Sequence, residues 1–95
     1  MLSSFSKGSQ PMHVEFLAIP RRLAGVSEIE VQAETLGQLL TALAKQYPAL
    51  GEYIVSGRLH RAFAANLNGD QFVNDPDTAL SQDDRLLILS ADAGG

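Results

Sequence analysis

The chain of 95 residues has no cysteine. That excludes disulfides, thiolate metal sites and a cysteine nucleophile, and leaves the redox compartment open. Positive charge is also scarce, with seven Lys and Arg against eleven Asp and Glu and a net charge of -4. Neutralising nucleic-acid phosphates takes clustered Lys and Arg, and here they are scattered, so no nucleic-acid partner is expected. An acidic domain suits a basic partner surface better. No apolar run approaches the roughly 20 residues of a membrane span, and Leu2 to Phe5 is too short for the core of a secretory signal. The expectation is a soluble, cytoplasmic protein without a membrane partner.

Histidines number only two. His13 and His60 stand far apart with no carboxylate cluster at ligand spacing, so they read as surface residues and no metal site is expected. Asp75, Asp77, Asp83 and Asp84 lack the glycine and closing glutamate of a calcium loop and read as turn formers. Ser81 and the N-terminal serines have no base beside them in the pattern. No catalytic residue is expected.

What the chain has is one small domain's worth of apolar residues, 45% of the total. A chain of this size buries roughly 60 to 65% of its unfolded surface around a single core. Residues 1–11 are polar and aperiodic and read as a flexible tail, with Met12 a possible native start. His13 to Ile19 alternates as a strand, with Val14, Phe16 and Ala18 on one face and His13, Glu15, Leu17 and Ile19 on the other. Pro20 ends the run or confines it to an edge. Glu28 to Ala33 is a second strand, with Ile29, Val31 and Ala33 inward. Thr35 and Gln38 form a capping box before a helix whose apolar stripe is Leu36, Leu39, Leu40, Leu43, Ala44 and Tyr47, stopped by Pro48. Residues 49–59 are harder to type: Leu50, Tyr53, Ile54 and Leu59 fit anchors of a short helical turn or a loop, with Gly51 and Gly57 interrupting regular structure.

Arg61 to Leu67 reads as a third strand with Phe63, Ala65 and Leu67 inward. Asn68-Gly69 then makes a hairpin turn, since both central positions of a type I′ turn need positive φ, and Gln71 to Val73 returns. Ala79-Leu80 inserts a small apolar plug before the acidic turn at Asp83-Asp84. Arg85 to Leu89 is the last strand. Its run Leu86, Leu87, Ile88, Leu89 makes both faces apolar, as in a central strand. The order predicts an α+β fold, a mixed four- to five-stranded sheet with one main helix on one face, over residues 12–89. The other face would expose Leu17, Ile19, Ala64, Leu87 and Leu89, an apolar patch suited to docking another protein. The competing expectation is that residues 51–59 cover it, or that it mediates homodimerisation.

The chain closes on Gly94-Gly95 after a short tail, 90–95. Without Cβ atoms this pair fits a channel too narrow for side chains, with the Gly95 carboxylate leading. Six extended residues reach about 20 Å.

Taken in order, Val14-Glu15-Phe16-Leu17-Ala18 with Arg22-Leu23, Thr35-Leu36, Asn66-Leu67-Asn68-Gly69, Leu80 with Asp83-Asp84, the strand to Leu89 and Gly94-Gly95 resemble a known family. It is the β-grasp, ubiquitin-like sulfur carriers typified by MoaD and ThiS, and the resemblance spans Met12 to Gly95. It implies a β-grasp fold and a carrier that is a co-substrate rather than an enzyme. An E1-like adenylyltransferase/sulfurtransferase would use ATP to adenylate the Gly95 carboxylate, sulfur would replace AMP to give a thiocarboxylate, and a sulfur-accepting biosynthetic enzyme would take the sulfur. No cofactor would be bound. Gly94 would be needed for channel entry. Gly57-Arg58-Leu59-His60-Arg61 is similar to carriers that feed cysteine formation, whereas Ser90 and Ala91 stand where many relatives have proline. Alternatives are a ubiquitin-like modifier conjugated through Gly95, the small subunit of molybdopterin synthase, and a non-catalytic interaction domain.

Overall fold

A computed structural model describes residues 11–91; the expectations for the N-terminal segment 1–10 and for Gly94 and Gly95 lie outside them. The chain order is β1 (Met12–Phe16), α1 (Ile19–Ala24), β2 (Glu28–Val31), α2 (Leu36–Gln46), α3 (Pro48–Gly51), β3 (Ile54–Val55), β4 (Arg58–Leu59), β5 (Phe63–Leu67), β6 (Gln71–Val73) and β7 (Arg85–Ser90). Five strands form one mixed sheet in the order β2-β1-β7-β5-β6, and β3 and β4 form a separate hairpin. This is the expected β-grasp: a sheet closed around one main helix.

The core follows from two periodicities. Every second residue of β1, β5 and β7 points inward, giving Met12, Val14, Phe16, Phe63, Ala65, Leu67, Leu86 and Ile88, and these meet Leu36, Leu39, Leu40 and Leu43 of α2. Met12 is not outside the first strand but its first residue, paired with Val31 and buried because it is in phase with Val14 and Phe16.

Helix α2 starts where the capping box predicts. Thr35 Oγ1 accepts the Gln38 N–H at 3.2 Å, and Gln38 Oε1 reaches back to the Glu34 N–H at 2.9 Å. The N–H groups of Leu36 and Gly37 donate to the carbonyls of Thr78 and Pro76. Thus the orphan donors of the first turn are satisfied largely by the segment before β7, which the buried Leu80 pins to the core.

Five expectations are corrected, one of them the third strand, which starts at Phe63 rather than Arg61. The first strand stops at Phe16 rather than Ile19, because Ala18 takes a positive φ of 59° and Pro20 occupies the first turn of α1. There its missing N–H costs nothing and its fixed φ favours the helix, so it begins an element instead of limiting a strand. The second strand ends at Val31, not Ala33. Residues 49–59 do hold a short helical turn, α3, but beyond it the chain forms the β3-β4 hairpin rather than a loop, and the hairpin's turn places Ser56 and Gly57 at positive φ. Two-residue strands are too short to show a period, which is why the pattern was illegible. Finally, β7 runs to Ser90, one residue into the segment expected to be tail.

Candidate docking face and strand exit

Strand β7 organises the sheet because it pairs on both sides. It lies parallel to β1, with Glu15 opposite Leu87 and Phe16 opposite Ile88, and antiparallel to β5, with Ala64 opposite Leu89 and Asn66 opposite Leu87. Residues directly opposite share a face. Leu86 and Ile88 therefore face α2, while Leu87 and Leu89 face away, half-buried by their neighbours. Leu17 continues the outer phase of Glu15 and donates its N–H to Ile88 O; it is 46% exposed.

Four of the five expected docking residues, Leu17, Ala64, Leu87 and Leu89, thus share the outer sheet face. Ile19 does not belong with them. It is 49% exposed, but it opens α1 beyond the break at Ala18, so strand alternation no longer sets its direction. The residue that sequence reasoning missed is Phe72. It stands opposite Asn66 in β6, on the same outer face, and is 69% exposed. An aromatic ring beside a hairpin turn, in a strand too short to assign faces by alternation, was the available signal. The hairpin β3-β4 packs against α2 instead, with Tyr53 stacked 4.5 Å from Phe63, so the segment expected to cover the patch lies on the helix side.

At its far end β7 is fastened firmly. Ser90 is 4% exposed, its Oγ accepts the Ile19 N–H at 3.3 Å, and the Ala91 N–H donates to Ala62 O at 2.7 Å. The tail expected from residue 90 onward therefore does not begin at Ser90 or Ala91. Arg21 and Arg22 lie in the adjoining last turn of α1.

Two of the four aspartates, Asp75 and Asp84, bond turn backbone through their side chains. Asp84 accepts from Ser81 N–H and from Asn68 Nδ2, and Asp75 accepts the Asp77 N–H. His60 Nδ1 accepts the Ala62 N–H at 3.0 Å. His13 differs, since the β1-β2 pairing sets Glu28 beside it at 2.7 Å, a neighbour that linear spacing cannot reveal.

Comparison with known proteins bears on this geometry. The family model of the ThiS family matches residues 14–95. The chain belongs to the ThiS family. Among solved structures, this ThiS-family chain is similar to the Haloferax volcanii HVO 2177 protein, with 25% identity, TM-score 0.76, and 99% of this chain and 94% of that one covered. It is similar to small archaeal modifier protein 1 from Methanosarcina acetivorans at 24% identity and TM-score 0.74, covering 94% and 100% of the two chains. It also matches a chain of the Amycolatopsis orientalis BexX/CysO complex at 24% identity and TM-score 0.72, covering 88% and 99%. No curated protein sequence matches. Likeness at these identities gives the ubiquitin-like fold, and family membership sets the chain among small proteins that act as sulfur carriers or modifiers. Proteins of this ThiS and MoaD type are generally not catalysts. No helix among the described residues is long and apolar enough to cross a membrane.

Proposed function

We propose that this protein is a sulfur carrier whose Gly95 carboxylate is activated and converted to a thiocarboxylate. The observation that carries the reading is the ThiS-family match running through residue 95, beyond a β7 that leads from the centre of the sheet toward it. A carboxylate is a poor electrophile, so activation is required. Attack of the Gly95 carboxylate oxygen on the α-phosphorus of ATP, in an E1-like adenylyltransferase/sulfurtransferase, releases pyrophosphate and leaves an acyl adenylate. Hydrosulfide-level sulfur then adds to the carbonyl and expels AMP. The thiocarboxylate delivers its sulfur to a biosynthetic enzyme. The carrier itself holds no cofactor and acts in the cytoplasm as a co-substrate.

Each part of the domain has a task in this reading. The outer face with Leu17, Ala64, Leu87, Leu89 and the newly found Phe72 docks the partner, and Gly94 lets the tail enter a narrow channel. Intact mass spectrometry of protein taken from its native host tests the proposal. The expected result is a fraction heavier by the exchange of one oxygen for sulfur, trapped as a thioester by an alkylating agent and absent after deletion of Gly95. A uniformly unmodified chain in cells making sulfur-containing cofactors overturns it.

A second reading, conjugation of Gly95 to target lysines, is favoured by the likeness to small archaeal modifier protein 1. Diglycine remnants on lysines of other proteins, dependent on Gly95, are its expected signature.

A further inference from the structure

The pairing of β1 with β2 gathers metal-ligating side chains at the edge of the outer sheet face. Glu15 stands directly opposite Glu28, and His13 directly opposite Glu30. One face of this two-strand ribbon therefore carries an imidazole and three carboxylates. His13 Nε2 lies 2.7 Å from Glu28 Oε1, and one ligand atom from each of His13, Glu15 and Glu28 falls within 4.8 Å of the others. Like charges placed directly opposite in an antiparallel pair are destabilising, so the Glu15-Glu28 pair calls for a cation. His13 Nε2 is shielded from solvent yet makes no aligned hydrogen bond, leaving its ring nitrogen neither hydrated nor well partnered. Arg85 flanks His13 in register on β7, but among the described residues the one ion-pair contact is His13 with Glu28.

We propose that His13, Glu15 and Glu28 form a surface site for a borderline divalent transition-metal ion of the zinc class. One imidazole nitrogen and two carboxylate oxygens, with no thiolate, suit such an ion better than soft Cu(I) or the oxygen-only cages of calcium. Metal-ligand bonds of about 2.0 to 2.2 Å at a tetrahedral ion set donor atoms about 3.3 to 3.6 Å apart. Both glutamates are exposed, so side-chain rotation reaches that spacing with the backbone fixed by the β1-β2 ladder. A divalent ion neutralises both carboxylates, whereas a protonated imidazole supplies a single charge. The fourth ligand is water or a side chain from a docked protein, because the cluster borders Leu87 of the docking face.

The test is calorimetric titration of the tag-free full-length chain with Zn2+ near neutral pH, with amide and histidine ring signals followed by NMR. One ion per chain is expected, moving the signals of His13, Glu15 and Glu28 but not those of His60. His13→Gln and Glu28→Gln should each weaken binding by at least about tenfold, while His60→Gln leaves it unchanged. Thermal melts of each variant separate loss of the site from loss of the fold. Absence of Zn2+ binding to the folded chain, or undiminished binding by folded His13→Gln, overturns the proposal and leaves a histidine-glutamate ion pair.

Discussion

Thr35 and Gln38 close the start of α2 with two side-chain hydrogen bonds. Thr35→Ala removes an acceptor from a helix end, and loss of such a cap typically costs about 1 kcal/mol; urea denaturation should show a lower midpoint with an unchanged slope. Gly57 carries a different constraint. Its φ is +74°, and an added Cβ would lie 3.1 Å from Gly37 Cα, where the hairpin meets the first turn of α2. Gly69 has a similar φ of +77° but nothing within 4 Å of the same position. Both substitutions by alanine incur the left-handed strain of about 1 to 2 kcal/mol, and Gly57→Ala adds a tight backbone contact that moves only if Gly37 gives way. The expected order of melting temperature is parent, then Gly69→Ala, then Gly57→Ala; equal losses would mean that the Gly37 contact relaxes freely.

At the level of elements, β7 presents two faces with different duties. Ile88 is fully buried against α2, and Ile88→Ala should destabilise the domain by about 2 to 5 kcal/mol. Phe72 and Leu17 are exposed on the outer face, so Phe72→Asp and Leu17→Asp should change stability by no more than about 0.5 kcal/mol while weakening the activating enzyme's affinity by more than about tenfold, the scale of an interface anchor. Cooperative unfolding of either variant would show that these side chains support the core. Much of this was readable in the sequence. The apolar run at 86–89 marked a central strand, Thr35 marked a helix start, and Asn68-Gly69 marked a hairpin, each because its chemistry is local. What was illegible depends on pairing or phase. Ile19 was assigned to the sheet because nothing local announces the positive φ at Ala18, and Glu28 became a neighbour of His13 only through strand register. Phe72 lay in a strand too short to reveal its face.

For the whole molecule, the fastening of β7 through Ala91 divides folding from reaction. In the proposed reading Gly94 and Gly95 serve the reaction and not the core, so their deletion should leave the melting temperature unchanged and abolish ATP-pyrophosphate exchange by the activating enzyme. A large loss of stability on that deletion would tie the last residues to the core and refute the separation.

The position of β7 also bears on how the molecule is made. During synthesis the β1-β2 and β5-β6 hairpins emerge first, yet the strand that must lie between them comes after both. Its parallel pairing with β1 joins residues from opposite ends of the domain, the kind of non-local contact that slows folding. A nascent chain halted before residue 85 therefore holds two half-sheets with open edges. Folding can finish only when Ser90 has cleared the ribosome, because the strand at the centre of the sheet is the last to appear.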